Sequence, residues 1–331
     1  MIVGLDNGGT KNNATVLDGG GAFLVDRLVE TPSRVHEGPD VAVQALVESM
    51  EHILELTGIP RASVAAVGLD TPGPASADGV ISSKGSTNFS APAWRGFDIR
   101  TALENRIGLP VIYNNDANAA ALYAHHAYFG DDAPNRSSVS AIVGTGLGGG
   151  IIEQGRIVRG AAGMAAELGH VQIPLDGLLE VGQPQPGCNC GLIGDVESIA
   201  SLIAIERNLL PFWLTRHPGH ELDGIDPRKA AMLVRGLGER SDPLARSIFT
   251  QQAIALGRLF SIAANFTDPH AYFVGGGVVE ASNEFREWYL EEVRANTTLR
   301  AEQRRVVTFA VVPDLDMAGA RGAALAARSN T

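Results

Sequence analysis

Two stretches of this chain share one plan. "IVGLDNGGTKNNATVLD" (2–18) and "SVSAIVGTGLGGGIIEQGRIV" (138–158) each carry a short apolar segment into clustered glycines and out into a second strand-like segment. A third buried run, "AYFVGGGVV" (271–279), also ends in glycines. Tight glycine turns straight after buried strands bring backbone N–H groups close to whatever lies above them, a geometry that cradles phosphate. Repetition of the plan near the start of each half points to a duplicated α/β fold of two lobes with a central cleft. The 331 residues suffice for two cores, and glycine is in excess, 39 of 331 against an average near 7%.

The remaining segments fit that architecture. Apolar residues at helical spacing cover 39–57, "VAAVGLD" (64–70) reads as a buried strand stopped by "TPGP", and "FDIRTALENRIG" is a helix ended by Gly108 and Pro110. "AFLVDRLVE" (22–30) reads as a strand, "VIYNN" as another, and "DANAAALYAHHAYF" (116–129) as an Ala-rich helix starting at Asp116. Polar "DDAPNRSS" (131–138) marks a hinge, which puts a smaller lobe at 1–130, with the closing helix 317–331, and a larger one at 131–316. Helices are expected near 196–210, 240–264 and 282–295, with strands at "AYFVGGG" and "VVTFAVV".

Composition removes several functions. A net charge of −11 argues against a nucleic-acid partner, no apolar run approaches bilayer length, and two cysteines are too few for a disulfide framework. The N-terminus carries no signal-peptide pattern, so a cytoplasmic protein is expected. "GTGLGG" matches G-x-G-x-x-G, but a dinucleotide fold needs a helix after it, and β-branched "GIIEQGRIV" follows instead. No Walker phosphate loop occurs. His125 and His126 are neighbours on one helix and diverge, which makes them packing or surface residues.

"GLDNGGTK", "TPGP", "NNDANAAAL", "GTGLGGG", "AAELGH", "CNCG" and "FVGGGV" follow one another as in the ROK family of bacterial sugar kinases and related repressors, which the chain resembles from residue 2 to its last helix. The resemblance implies an actin/hexokinase-like fold, ATP with Mg²⁺ against the glycine loops and a hexose at the base of the cleft. Its nucleotide side falls on Asp6, Gly8, Gly9, Thr10 and Lys11, on Gly144, Thr145 and Gly146, and on Gly275, Gly276 and Gly277. Its sugar side falls on Gly73, Asn88, Asn115, Asp116, Glu167, His170 and Glu197. Moving a γ-phosphoryl group to a hydroxyl needs a base, and Asp116, a lone carboxylate among amides at a helix start, takes that role. Asn7 and the "NN" at 12–13 depart from the family pattern in the first loop.

Family members with the cysteine loop read C-x-C-G-x-x-G-C, and their three thiolates hold a structural zinc with the His of "ELGH". Here His170, Cys188 and Cys190 are present, and Asp195 stands in the third cysteine's place. Carboxylate binds zinc at similar distance but is the harder ligand. The expectation is a loop held by hydrogen bonds, Asp195 capping a helix that starts near Val196, with zinc the alternative. A repressor needs a DNA-binding module ahead of the first glycine loop, which here begins at residue 4. The expected activity is therefore glucokinase-like phosphorylation at the 6-position by a homodimer without membrane or nucleic-acid partners. Fructose, mannose or an N-acetylhexosamine as substrate, polyphosphate as donor, and a non-catalytic sugar-binding regulator remain open.

Overall fold

Two five-stranded sheets repeat one topology. The computed structural model describes residues 1–73, 75–82, 88–312 and 315–329, so Pro74 of "TPGP" and the last two residues of the closing segment lie outside the described residues. In the first sheet β1 (Ile2–Asn7), β2 (Lys11–Leu17), β3 (Glu30–Pro32), β4 (Ala66–Thr71) and β5 (Val111–Asn115) lie in the order β3-β2-β1-β4-β5. In the second, β6 (Ser138–Val143), β7 (Leu147–Glu153), β8 (Arg156–Ile157), β9 (Ala271–Gly275) and β10 (Thr308–Val311) lie in the order β10-β9-β6-β7-β8. Read from the other edge, that is the same order with each strand replaced by its counterpart five places later. The chain divides into two compact units, 1–135 with 150–166 and 313–331, and 136–149 with 167–312.

In the first unit, helices cover both sheet faces. α1 (Pro39–Thr57) and α2 (Ile99–Ile107) share a core with Val3, Leu5, Val67 and Leu69, and Trp94 closes it, its indole N–H donating to Val35 O at 3.0 Å. α3 (Asp116–Phe129) starts directly after β5. The rest of the chain adds α4 (Leu202–Ala204), α5 (Leu210–Arg216), α6 (Pro227–Glu239), α7 (Pro243–Thr267), α8 (Asn283–Ala295), the short α9 (Ala301–Arg304) and α10 (Leu315–Arg328). α10 returns to the first unit and lies so close to it that side chains are excluded. A Cβ on Gly4 or Gly68 would strike the α10 backbone at Ala320 or Ala323, and one on Gly322 would strike Ala119 of α3.

Three expectations need correction. "AFLVDRLVE" yields only a single bridge, Leu17 to Phe23, before β3, because Leu24 and Leu28 stay exposed and Asp26 and Arg27 leave no apolar alternation. The helix placed at 196–210 starts at Leu202, where the Ser201 hydroxyl accepts from Ala204 N. It then widens into a π-turn over Ile205–Leu209 ahead of Pro211, which has no N–H for the normal ladder. α6, absent from the sequence reading, is opened by Asp226 and Pro227 and buries Ala230, Ala231, Val234 and Leu237. Among the described residues no helix is long and apolar enough to cross a membrane.

Candidate active site

The first unit brings its predicted residues to the ends of β1, β4 and β5. Gly8 N–H donates to Lys11 O at 2.9 Å and closes the β1–β2 turn, and Thr10 O accepts from Ser33 N at 3.0 Å. A Cβ on Gly9 would meet the Asn88 side-chain amide at 2.5 Å, so only glycine lets that amide lie over the loop. The Lys11 ammonium is exposed and sits 2.6 Å from Glu30. At the end of β5, Asn115 caps α3 by accepting from Ala117 N at 3.0 Å, and the Asp116 carboxylate accepts from the same N–H at 2.7 Å. Asp116 therefore sits in the first turn of a helix, where free N–H groups favour a negative charge. The Asn115 amide nitrogen is 3.0 Å from where a Gly73 Cβ would stand.

Sequence reasoning missed two residues there. Asp70, on β4, is the Cα partner of Asp6 across β1 and is fully buried. Burial raises the pKa of both carboxyls; Asp70 is pushed well above the usual range by burial, then by the charge of Asp6, its hydrogen bond with Asp6 and the charge of Asp116. Asp6 is only partly buried, and burial raises its pKa while its hydrogen bond with Asp70 lowers it. The signal was available: the tetrapeptide VGLD occurs at 3–6 and again at 67–70, and the two copies pair residue for residue. The second missed residue is Arg159, half-buried, whose guanidinium donates to Asn114 Oδ1 at 3.0 Å beside Asn115 and Asp116. Its apolar surroundings lower its pKa.

The second unit gathers the other predicted residues around Glu197. Gly144 N–H donates to Gly146 O at 2.9 Å, and the carbonyls of Gly144 and Thr145 accept from Leu202 N and Ile203 N, which ties the glycine loop to α4. Leu147 N–H donates to Glu197 Oε2 at 2.8 Å, and a Cβ on Gly146 would collide with that oxygen. The other Glu197 oxygen accepts from Cys188 Sγ at 3.4 Å. Glu167 and His170 lie at the two ends of a single 3₁₀ turn, Leu168–His170, rather than on a helix. Burial raises Glu167, His170 lowers it and Glu197 raises it again. Gly275 ends β9, Gly276 takes the left-handed φ of 89° against Val143, and Gly277 O accepts from Arg235 at 2.7 Å.

Asp195 does not cap a helix at Val196. It is fully buried and its carboxylate accepts from Ser198 N at 2.9 Å, closing an isolated turn. Its second oxygen faces His170 Nδ1 at 3.2 Å and Cys190 Sγ at 3.5 Å, and Cys188 Sγ is 3.9 Å from the same ring nitrogen. One ligand atom from each of His170, Cys188, Cys190 and Asp195 falls within 4.8 Å of the others. Ligands at zinc distances in a tetrahedron stand roughly 3.3–3.8 Å apart, close to these separations, so the donor set fits the ion. Burial first, against a backbone hydrogen bond at Cys190 that lowers it, and then the Cys190 and Asp195 side chains raise the Cys188 thiol well above its ordinary range.

Glycine turns on both sheets and carboxylates at strand ends define a phosphate-handling enzyme of the actin-like ATPase fold. The ROK family matches residues 2–330. A glucokinase of Halalkalibacterium halodurans is 32% identical over 289 residues, 85% of this chain and 81% of that one. Among solved structures, a ROK hexokinase from Thermus thermophilus superposes with a TM-score of 0.77 at 33% identity, covering 99% of this chain and 98% of the other. A ROK family glucokinase from Streptomyces griseus, in complex with glucose and AMPPNP, gives 0.69 at 31% identity over 99% of both chains. The chain belongs to the ROK family, and it is a sugar kinase.

Proposed function

We propose that the protein transfers the γ-phosphoryl group of ATP to the 6-hydroxyl of a hexose, glucose or a close relative, with Asp116 as general base. What supports this most is the seat of Asp116: a carboxylate at the start of α3, straight after a buried strand, oriented by the Ala117 N–H and flanked by a neutral amide. The hydroxyl proton passes to the Asp116 carboxylate as the sugar oxygen bonds to phosphorus and ADP leaves. A bound Mg²⁺ neutralises phosphate charge, and the partly exposed carboxylate of Asp6 is the residue assigned to it. Backbone N–H groups of Gly8–Lys11, Gly144–Gly146 and Gly275–Gly277 serve the nucleotide. Asn88, Asn115, Glu167, His170 and Glu197, with backbone at Gly73, serve the sugar, whose hydroxyls need acceptors that leave none unpaired.

A coupled assay across hexoses with ATP and Mg²⁺ tests the reading. Asp116→Asn should lower kcat by roughly 10²–10⁴ while sugar affinity, measured by calorimetry, stays near wild type. Near-normal turnover in that variant would sink the assignment. We also propose that His170, Cys188, Cys190 and Asp195 hold one structural zinc, which stiffens the loop beside Glu197 and takes no part in the chemistry.

A further inference from the structure

The paired tetrapeptides VGLD put Asp70 into the same layer as Asp6. Parallel register aligns Val3 with Val67, Gly4 with Gly68, Leu5 with Leu69 and Asp6 with Asp70. Partners in register project to the same sheet face, so both glycines and both aspartates lie under α10. The glycines admit the α10 backbone, and a Cβ on Gly319, just past the first turn of α10, would meet the Asp6 carboxylate at 2.8 Å. Asn13, the antiparallel partner of Asp6, donates to Asp316 O at 3.0 Å in that turn. The positive end of a 14-residue helix thus stands over two carboxylates.

Among the described residues, only the Asp6 carboxyl is bonded to the second one. Asp70 has no exposed surface, and among the described residues neither of its oxygens receives a hydrogen bond from a donor N–H or hydroxyl. Three cations of this unit bond to other groups: Lys11 to Glu30, Arg159 to Asn114, and Arg321 to Tyr123 and Val25 O. A buried carboxyl kept only for packing would be capped by backbone N–H groups or a guanidinium. Two carboxyls from adjacent strands, one partly exposed and one bonded only to the other, are instead the donor type that a hard divalent cation takes.

We propose that Asp70 is a second protein carboxylate of the divalent-cation seat, joining Asp6 toward the ion that accompanies the nucleotide. The inference rests on the assignment of Asp6 to that ion. Asp6 and Asp70, joined by a hydrogen bond, would together hold the ion, with Asp6 the partly exposed member.

Mn²⁺ binding to the full chain, followed by loss of the free-ion electron paramagnetic resonance signal, tests it with and without a non-hydrolysable ATP analogue. Asp70→Asn should weaken Mn²⁺ by 10-fold or more, as should Asp6→Asn, and should raise the Mg²⁺ needed for half-maximal turnover by a similar factor. Glucose binding, read by calorimetry without metal, should stay within about 2-fold. If Asp70→Asn does not fold, Asp70→Ser, neutral and smaller, carries the same comparison. A folded Asp70 variant that binds Mn²⁺ as wild type does would overturn the proposal and leave Asp70 a packing acid. Should the wild-type chain turn over no sugar while its Mn²⁺ affinity still depends on Asp70, the kinase reading fails and this one stands. Turnover with Mn²⁺ binding indifferent to Asp70 is the reverse.

Discussion

Glu197 joins two loops of the second unit, and removing it separates structural from chemical roles. One oxygen takes the Leu147 N–H at 2.8 Å, the other the Cys188 thiol at 3.4 Å, while its own N–H donates to Gly169 O at 2.9 Å. In Glu197→Ala the Leu147 N–H, on a residue only 6% exposed, loses its acceptor. A hydrogen bond to a charged group contributes about 1.5–3 kcal/mol. At about 2–4 °C of Tm per kcal/mol for units of this size, the melt should fall by at least about 3 °C. The same carboxylate is proposed to accept a sugar hydroxyl proton, and losing that contact too should lower kcat/KM roughly 10- to 150-fold, mostly through KM. Glu197→Gln keeps an oxygen for Leu147 but no charge for the hydroxyl, so Tm should hold within about 1 °C while kcat/KM still falls roughly 10-fold. Differential scanning fluorimetry and the coupled glucose assay read the two quantities separately. Glu197→Ala matching wild type in both would refute the reasoning. Glu197→Gln losing as much Tm as the alanine variant would show that charge, not the oxygen, holds the loop.

Elemental analysis of protein purified without chelator should find about one zinc per chain, and Cys190→Ala, which removes the exposed thiol of the set, should lose it; full occupancy in the variant would exclude these ligands. The raised pKa of Glu167, caused first by burial, predicts that sugar KM climbs as pH falls through a range above that of an ordinary glutamate, and that Glu167→Gln removes this acid limb. Stability runs the other way: the folded chain holds that proton more tightly than the unfolded one, so the contribution is present at low pH and is lost as pH rises through the folded pKa, which melts of wild type and Glu167→Gln across pH would resolve.

What was legible in the sequence is what one segment can specify alone. α1 spans the 39–57 predicted from Val43, Leu46, Met50, Ile53 and Leu54, and α3 opens at Asp116 because Asn115 and Asp116 both compete for the same helix-start N–H. The repeated plan of strand, glycine turn and strand reappears as two sheets of matching order. What could not be read depends on a distant partner. Glycine at 68 is required by the α10 backbone some 255 residues later, and the sequence marks only that a glycine is there. Leu202 starts α4 rather than Val196 because Ser198 and Asp195 consume each other's hydrogen bonds in a turn first. Arg159 became visible only when the chain returned it to Asn114.

The departures in the first glycine loop bear on this division. Asn7 and Asn12 are Cα partners across the β1–β2 turn, and period-two alternation puts them opposite to Asp6 and Asn13, on the face that packs against α1. There Asn7 Nδ2 donates to Asn12 Oδ1 at 2.6 Å, Asn12 Nδ2 to Ser49 Oγ at 3.2 Å, and Ser49 Oγ to Ala45 O at 2.9 Å inside α1. Two asparagines that look, in sequence, like damage to a phosphate loop thus form, with Ser49, a chain of hydrogen bonds ending in a helix. The Gly8–Lys11 turn above them keeps its own bond. Buried polar groups are tolerated where partners come with them, and here each amide nitrogen finds an acceptor while Asn7 Oδ1 is left without a donor. One residue along the same strand the face changes: Asp6 and Asp70 lie side by side under α10, and among the described residues no N–H or hydroxyl donates to Asp70. The unit thus ties its asparagine pair into α1 through amide donors, whereas under α10 the buried Asp70 has only the Asp6 carboxyl beside it, the place proposed for a cation.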